Sequence, residues 1–228
     1  MNQAGLALVA TTVITAVVHT LIPDHWLPFV LVSRTERWSR RRTISVTTLS
    51  ALLHVIVSIA LGLAIVLAGR GAGQAVIGFA EGLESLTGWL LVTFGLVYMA
   101  WFLLRGGHVH SFGMHPHHAP DDPVHPLENP GRRPVTGYAL ALIVGFNPCI
   151  LVVPIVYGAS RMSRGTVLAV ALSFAVTTVV TMVGATLAGR HGTARLTSPF
   201  LTRYGEALSG GLIALTGLAV MLIEFDLI

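Results

Sequence analysis

Lysine does not occur in this 228-residue chain, and cysteine occurs once, at Cys149. A single thiol excludes an intramolecular disulfide and any two-cysteine redox relay within the chain. Charge is scarce as well: 11% of residues are Asp, Glu, Lys or Arg, against about 25% in a soluble domain. With 54% hydrophobic residues and a mean hydropathy of +0.76, that scarcity describes an all-α integral membrane protein. No phosphate loop supports ATP coupling, and no hydrolase or transferase constellation is present, so the chain is not expected to be an enzyme. No aromatic and basic stripe marks a nucleic-acid surface. The N-terminus lacks a basic n-region and a small-residue cleavage site, so the first apolar segment is expected to be retained.

What is present is apolar length. About 20 apolar residues cross a bilayer, and six runs qualify: 5–32 (interrupted by polar groups), 44–68, 86–104, 137–159, 166–188 and 205–224. Residues 71–82 are apolar but short and glycine-rich, and either lie at the interface or begin the third helix. The expected organisation is a first three-helix unit over 1–105, a polar segment over 106–136, and a second three-helix unit over 137–228. Eleven of the fourteen arginines fall in the first, third and fifth connections: Arg34, Arg37, Arg40, Arg41, Arg42, Arg105, Arg132, Arg133, Arg190, Arg195 and Arg203. Only Arg70, Arg161 and Arg164 fall on the other side. Basic loops stay in the cytoplasm, which puts both termini outside a multi-pass protein of the inner or plasma membrane.

The two halves repeat at an offset of about 120–126 residues, with Pro23 against Pro148, Pro28 against Pro154 and Thr43 against Thr166. LAGR occurs at Leu67–Arg70 and at Leu187–Arg190; Gly88 and Gly95 match Gly210 and Gly217, and Met99 matches Met221. An odd number of crossings per half inverts one half relative to the other. Inverted repeats with broken first helices place a binding site near the midplane. A proline inside a helix removes the hydrogen bond to the carbonyl four residues back. Pro23 and Pro148 are therefore expected to free the carbonyls of His19 and Val144, and Pro28 and Pro154 those of Asp24 and Ile150.

The segment His19-Thr-Leu-Ile-Pro-Asp-His25 sets two imidazoles and a carboxylate at bilayer depth, where an ionisable group costs about 2.5–3.5 kcal/mol. These are ligand types for nickel, cobalt or zinc. The plainer account is a kinked helix whose polar groups satisfy one another. On an intact helix His19 and His25 would diverge by roughly 120° and Asp24 and His19 by roughly 140°, so convergence requires the break at Pro23. Thr47, Ser50, His54 and Ser58 share one helical face, which suggests His54 as a fourth ligand. Ser173, Thr177 and Thr181 repeat that stripe in the fifth span, although hydroxyl stripes also serve as helix-packing glue. Asn147 and Cys149 are weaker candidates from the second half. The polar segment adds His108, His110, His115, His117, His118 and His125 among six prolines. That composition cannot offset the entropy of forming a core, and histidine-rich tracts bind metal.

With those residues in hand, the chain resembles a nickel/cobalt transporter of the LysE-type superfamily, the group that includes nickel/cobalt efflux and urease-accessory-like membrane proteins. HTLIPDH is similar to the H-x4-D-H signature of nickel/cobalt permeases, the histidine-rich segment and FNPC in the fourth span add to the likeness, and the resemblance implies metal binding by His19, Asp24 and His25. FNPC at Phe146–Cys149 is also similar to the proline-cysteine motif of thiol-transfer membrane proteins related to cytochrome c biogenesis factors. Those carry one cysteine in the first helix of each half. Here Asp24 falls opposite Cys149, so that fold is expected without its redox chemistry.

The expected function is transport of Ni²⁺ or Co²⁺ (Zn²⁺ also fits the ligands), slightly favouring export, with no cofactor required. Its partners would be the bilayer and the ion, with a homo-oligomer left open. Because metal needs neutral imidazole and ionised carboxylate, flux should fall below about pH 6.5. The alternatives are an exporter of a small organic or anionic solute that uses Asp24 and His25 as a proton relay, and a scaffold for metalloenzyme maturation.

Overall fold

A computed structural model describes residues 2–104, 134–194 and 199–226, and among them the protein is helical throughout. The elements are α1 (Gln3–Thr20), α2 (Pro23–Thr35), α3 (Arg40–Leu104), α4 (Pro134–Gly145), a 3-10 turn at Ile150–Val152, α5 (Val153–Ser160), α6 (Arg164–Ala194) and α7 (Pro199–Asp226). Five stretches are long and apolar enough to cross a membrane: Gln3–Thr20, Arg40–Ala68, Gly73–Leu104, Thr136–Ser160 and Arg164–Gly192. A shorter apolar stretch, Ala207–Leu222, lies in α7. The protein is an all-α, multi-pass membrane protein.

Two of those spans lie within α3. A Cβ on Gly73 would sit 3.8 Å from Ile65 Cγ2, where a straight helix would hold the two residues about 12 Å apart. The chain therefore doubles back, and the glycine-rich stretch opens the third span. Sequence alone left open whether it lay at the interface.

The packing is that of inverted halves. Gly88 meets Gly217 and Met221, while Gly210 meets Gly95 and Met99. Exchanging each residue for its repeat partner turns the first set of contacts into the second, as a pseudo-two-fold axis requires. A Cβ on Gly95 would lie 2.5 Å from the Gly210 carbonyl oxygen, and one on Gly217 would lie 2.8 Å from that of Gly88. Only glycine lets the backbones approach so closely. Elsewhere the halves interlock. The first span of α3 runs parallel to α4 and α5, with Gly137 against Trp38 and Val46, Gly145 against Ser50 and Leu53, and Gly62 against Val156. Likewise α1 and α2 follow α6, with Leu8 and Val9 packed beside Val167 and Val170, and Trp26 and Val30 against Gly189. Parallel packing between these elements is what inversion demands.

Both first helices are broken. Ile22 is extended (φ −59°, ψ 132°) and Pro23 opens α2; a residue before proline is pushed out of the helical region, and proline suits a first helical position. In the second half α4 stops at Gly145, and helix resumes only at Ile150. Three of the four carbonyls expected to be freed find partners in turns. Ile22 N–H takes the His19 carbonyl at 3.0 Å and Asn147 N–H reaches that of Val144 at 3.4 Å; Val153 N–H takes that of Ile150. Tight turns reclaim the acceptors, which leaves side chains to furnish the site.

Candidate functional site

The break turns His19, last but one in α1, toward His25 in the first turn of α2. Their ring centroids lie 4.5 Å apart. His54, midway along the first span of α3, completes a triangle at 5.7 Å from His19 and 5.2 Å from His25. Cys149 reaches the same point from the second half. Nitrogen atoms of His19 and His54 and the Cys149 sulfur all lie within 4.8 Å of one another. All four residues are buried. The Cys149 turn is pinned through Ser58, which donates to the His54 carbonyl at 2.7 Å and accepts the Cys149 N–H at 2.8 Å. One hydroxyl thus ties the broken helix of one half to the second span of the other.

Asp24 holds a different place from the one its spacing suggests. Its Oδ1 lies 2.6 Å from His25 Nδ1, so the carboxylate orients the imidazole and leaves Nε2 for the interior. It also sits in the first turn of α2, where the helix dipole favours negative charge. Asn147 brings its backbone beside His54, and its side-chain oxygen is buried without a partner among the described residues.

The same is true of His19 Nε2, His25 Nε2, both His54 ring nitrogens, and the hydroxyls of Thr20, Thr47, Ser50 and Thr178. Buried polar atoms are normally hydrogen-bonded, and a cluster that is not points to a ligand or ordered water. Around a tetrahedral Zn²⁺ the donor atoms would be about 3.4 Å apart, inside the 4.8 Å span of the His19, His54 and Cys149 donors.

Beyond Ser58, which holds the Cys149 turn, the polar face of α3 continues toward its N-terminal end. Thr47 and Ser50 lead from His54 to Thr43, whose hydroxyl takes a hydrogen bond from Arg190; the Arg190 guanidinium also donates to the Trp38 carbonyl. On the other side lies an apolar layer of Ala16, Val55, Val152, Val156 and Phe174. The matching stripe expected in α6 is not the inward one. Phe174, Thr178, Met182 and Thr186 are buried there, while Ser173, Thr177 and Thr181 are only half-buried. The Phe174 ring stands 6.4 Å from that of His54. The six histidines from His108 to His125 lie outside the described residues.

A search of curated proteins finds no match, and neither does a search of solved structures. A family model described as the cytochrome C biogenesis protein transmembrane region matches residues 27–219. That match overturns the nickel/cobalt LysE-type assignment. Of the features that carried that assignment, HTLIPDH ends at His25, before the matched stretch begins, while the histidine-rich segment and FNPC fall inside it, as do both α3 spans. The chain belongs to the cytochrome C biogenesis transmembrane-region family.

Proposed function

We propose that this protein is a membrane transporter whose cargo is a thiophilic transition-metal ion, bound where its inverted halves meet. The observation that carries the reading is the convergence of His19, His54 and Cys149 to within 4.8 Å, beside His25 Nε2. Three of these groups come from the first half and the thiol from the second, so relative movement of the halves would assemble and dismantle the site. His19, His54 and Cys149 are the ligands, and His25 is the fourth. Asp24 acts on His25 as carboxylates commonly act on metal-bound imidazoles, fixing tautomer and ring orientation.

A thiolate among imidazoles selects Zn²⁺ or Cu⁺, which moves the cargo away from the Ni²⁺ or Co²⁺ that a His/Asp set alone suggests. The hydroxyls of Thr47 and Ser50 offer a polar route toward the Arg190 end. That end carries the arginine-rich connections and faces the cytoplasm by the positive-inside rule, with the histidine-rich segment on the same side and export favoured. Binding displaces protons from imidazole and thiol, so acid should release the ion and a proton gradient could drive exchange.

The test is Zn²⁺ or Cu⁺ content of the purified protein, with flux in proteoliposomes, for the wild type and for a variant in which the six histidines from His108 to His125 become asparagine. One ion per chain retained by the variant, together with flux, is expected. Metal lost along with those histidines would refute the intramembrane site. The 2.6 Å contact between Asp24 and His25 also suits a proton relay serving a small organic or anionic solute. That second reading requires flux that is indifferent to metal.

A further inference from the structure

A second concentration of charge lies at the other end of the polar face. A cavity of about 290 Å³ is lined by Ser33, Arg34, Arg37 and Arg190. It is distinct from the imidazole–thiol cluster: Thr43, which Arg190 holds, precedes His54 by eleven residues, or about 16 Å of helix.

Three features make it a site rather than a chance grouping. First, the three guanidiniums come from two halves. Arg34 and Arg37 close the α2 end, while Arg190 ends the LAGR string of the second half and is anchored by its bonds to Trp38 and Thr43. Second, the neighbouring acid is turned elsewhere. Glu36 Oε2 accepts the Trp38 indole N–H at 2.8 Å and lies 3.9 Å from Arg42, and no carboxylate lines the cavity among the described residues. Third, Arg37 holds a left-handed backbone (φ 51°). Residues other than glycine rarely adopt that conformation, and such strain gathers at ligand sites.

We infer that this cavity binds a phosphate group. Guanidiniums present paired N–H donors that match phosphate oxygens, and basic pockets between membrane helices take anionic headgroups. Two sources supply this chemistry, the headgroup of an anionic phospholipid and free phosphate.

The experiment uses purified full-length protein in detergent. Phosphatidylglycerol, phosphatidylcholine and inorganic phosphate are titrated separately, with thermal unfolding and native mass spectrometry as readouts. The expected result is saturable binding of phosphatidylglycerol or of inorganic phosphate, weakened at least tenfold by Arg37→Gln and further by Arg34→Gln/Arg37→Gln. Arg161→Gln, at the opposite end, should leave it unchanged. A response to phosphatidylglycerol alone identifies a lipid site, and an equal response to phosphate alone identifies a soluble anion. Arg37→Gln is the exposed single change that keeps the test valid should the double variant fail to fold. Binding that is unaltered in Arg37→Gln, a phosphatidylcholine response equal to that of phosphatidylglycerol, or no saturable binding of either phosphate source would overturn the proposal.

Discussion

Replacing His54 by alanine should lower affinity for Zn²⁺ by more than about a hundredfold, whereas Asp24→Asn should lower it by about 10–100-fold. The order follows from geometry. His54 presents both ring nitrogens to the interior with no protein partner among the described residues, so its removal deletes a ligand. Asp24 acts one step back, through His25 Nδ1, so its amide would leave the ligand in place but with its tautomer and orientation less firmly set. Competition titration against a chelator, at constant pH, measures both. Equal losses would make Asp24 a direct ligand, and no loss in His54→Ala would remove the imidazole triangle from the account.

The second large effect belongs to the scaffold. Gly95→Leu should prevent recovery of folded protein, and Gly95→Ala should already lower its thermal midpoint in detergent. A Cβ at this position would lie 2.5 Å from the Gly210 carbonyl oxygen and 2.9 Å from Ala214 Cα. Those are backbone atoms of another helix, so no side-chain rotation relieves the clash and the third spans must separate. Overpacking in a core typically costs about 1–3 kcal/mol when side chains can shift; here they cannot. Gly184→Ala is the control, since nothing lies within 4 Å of its added carbon and alanine favours helix. Similar behaviour of the Gly95 and Gly184 variants would remove the close crossing from the account.

The pairing of Gly88 and Gly95 with Gly210 and Gly217 shows how much of this was legible in the sequence. Their register is visible by aligning the halves, and an odd count of spans already implies inversion. What the alignment cannot give is which glycine meets which, because that depends on the axis. The meeting of His19 and His25 was legible too, since Pro23 forces a break and only a broken helix lets them converge. What spacing does not reveal is that the Asp24 carboxylate lies against its neighbour's Nδ1. The register of Cys149 opposite Asp24 put it at the matching break; how deeply α4 and α5 insert beside α3, and so how near Cys149 comes to His19 and His54, was not legible. The α6 stripe failed for a rotational reason. Phe174 and Thr178 follow Ser173 and Thr177 by one residue, about 100° around a helix, and packing against α1 and α2 chose the former face. The nickel/cobalt likeness failed because short ligand-like features, HTLIPDH and a histidine-rich segment, can arise on a different family's frame, and FNPC is compatible with both families.

On this reading two fractured helices and the first span of α3 gather three imidazoles and one thiol around a single ion. X-ray absorption spectroscopy of the Zn²⁺-loaded protein, with the six histidines from His108 to His125 replaced by asparagine, tests it most directly. The account predicts one sulfur at about 2.3 Å and three imidazole nitrogens at about 2.0–2.1 Å, with the sulfur shell lost in Cys149→Ser. A shell of nitrogen and oxygen alone, unchanged in that variant, would contradict it.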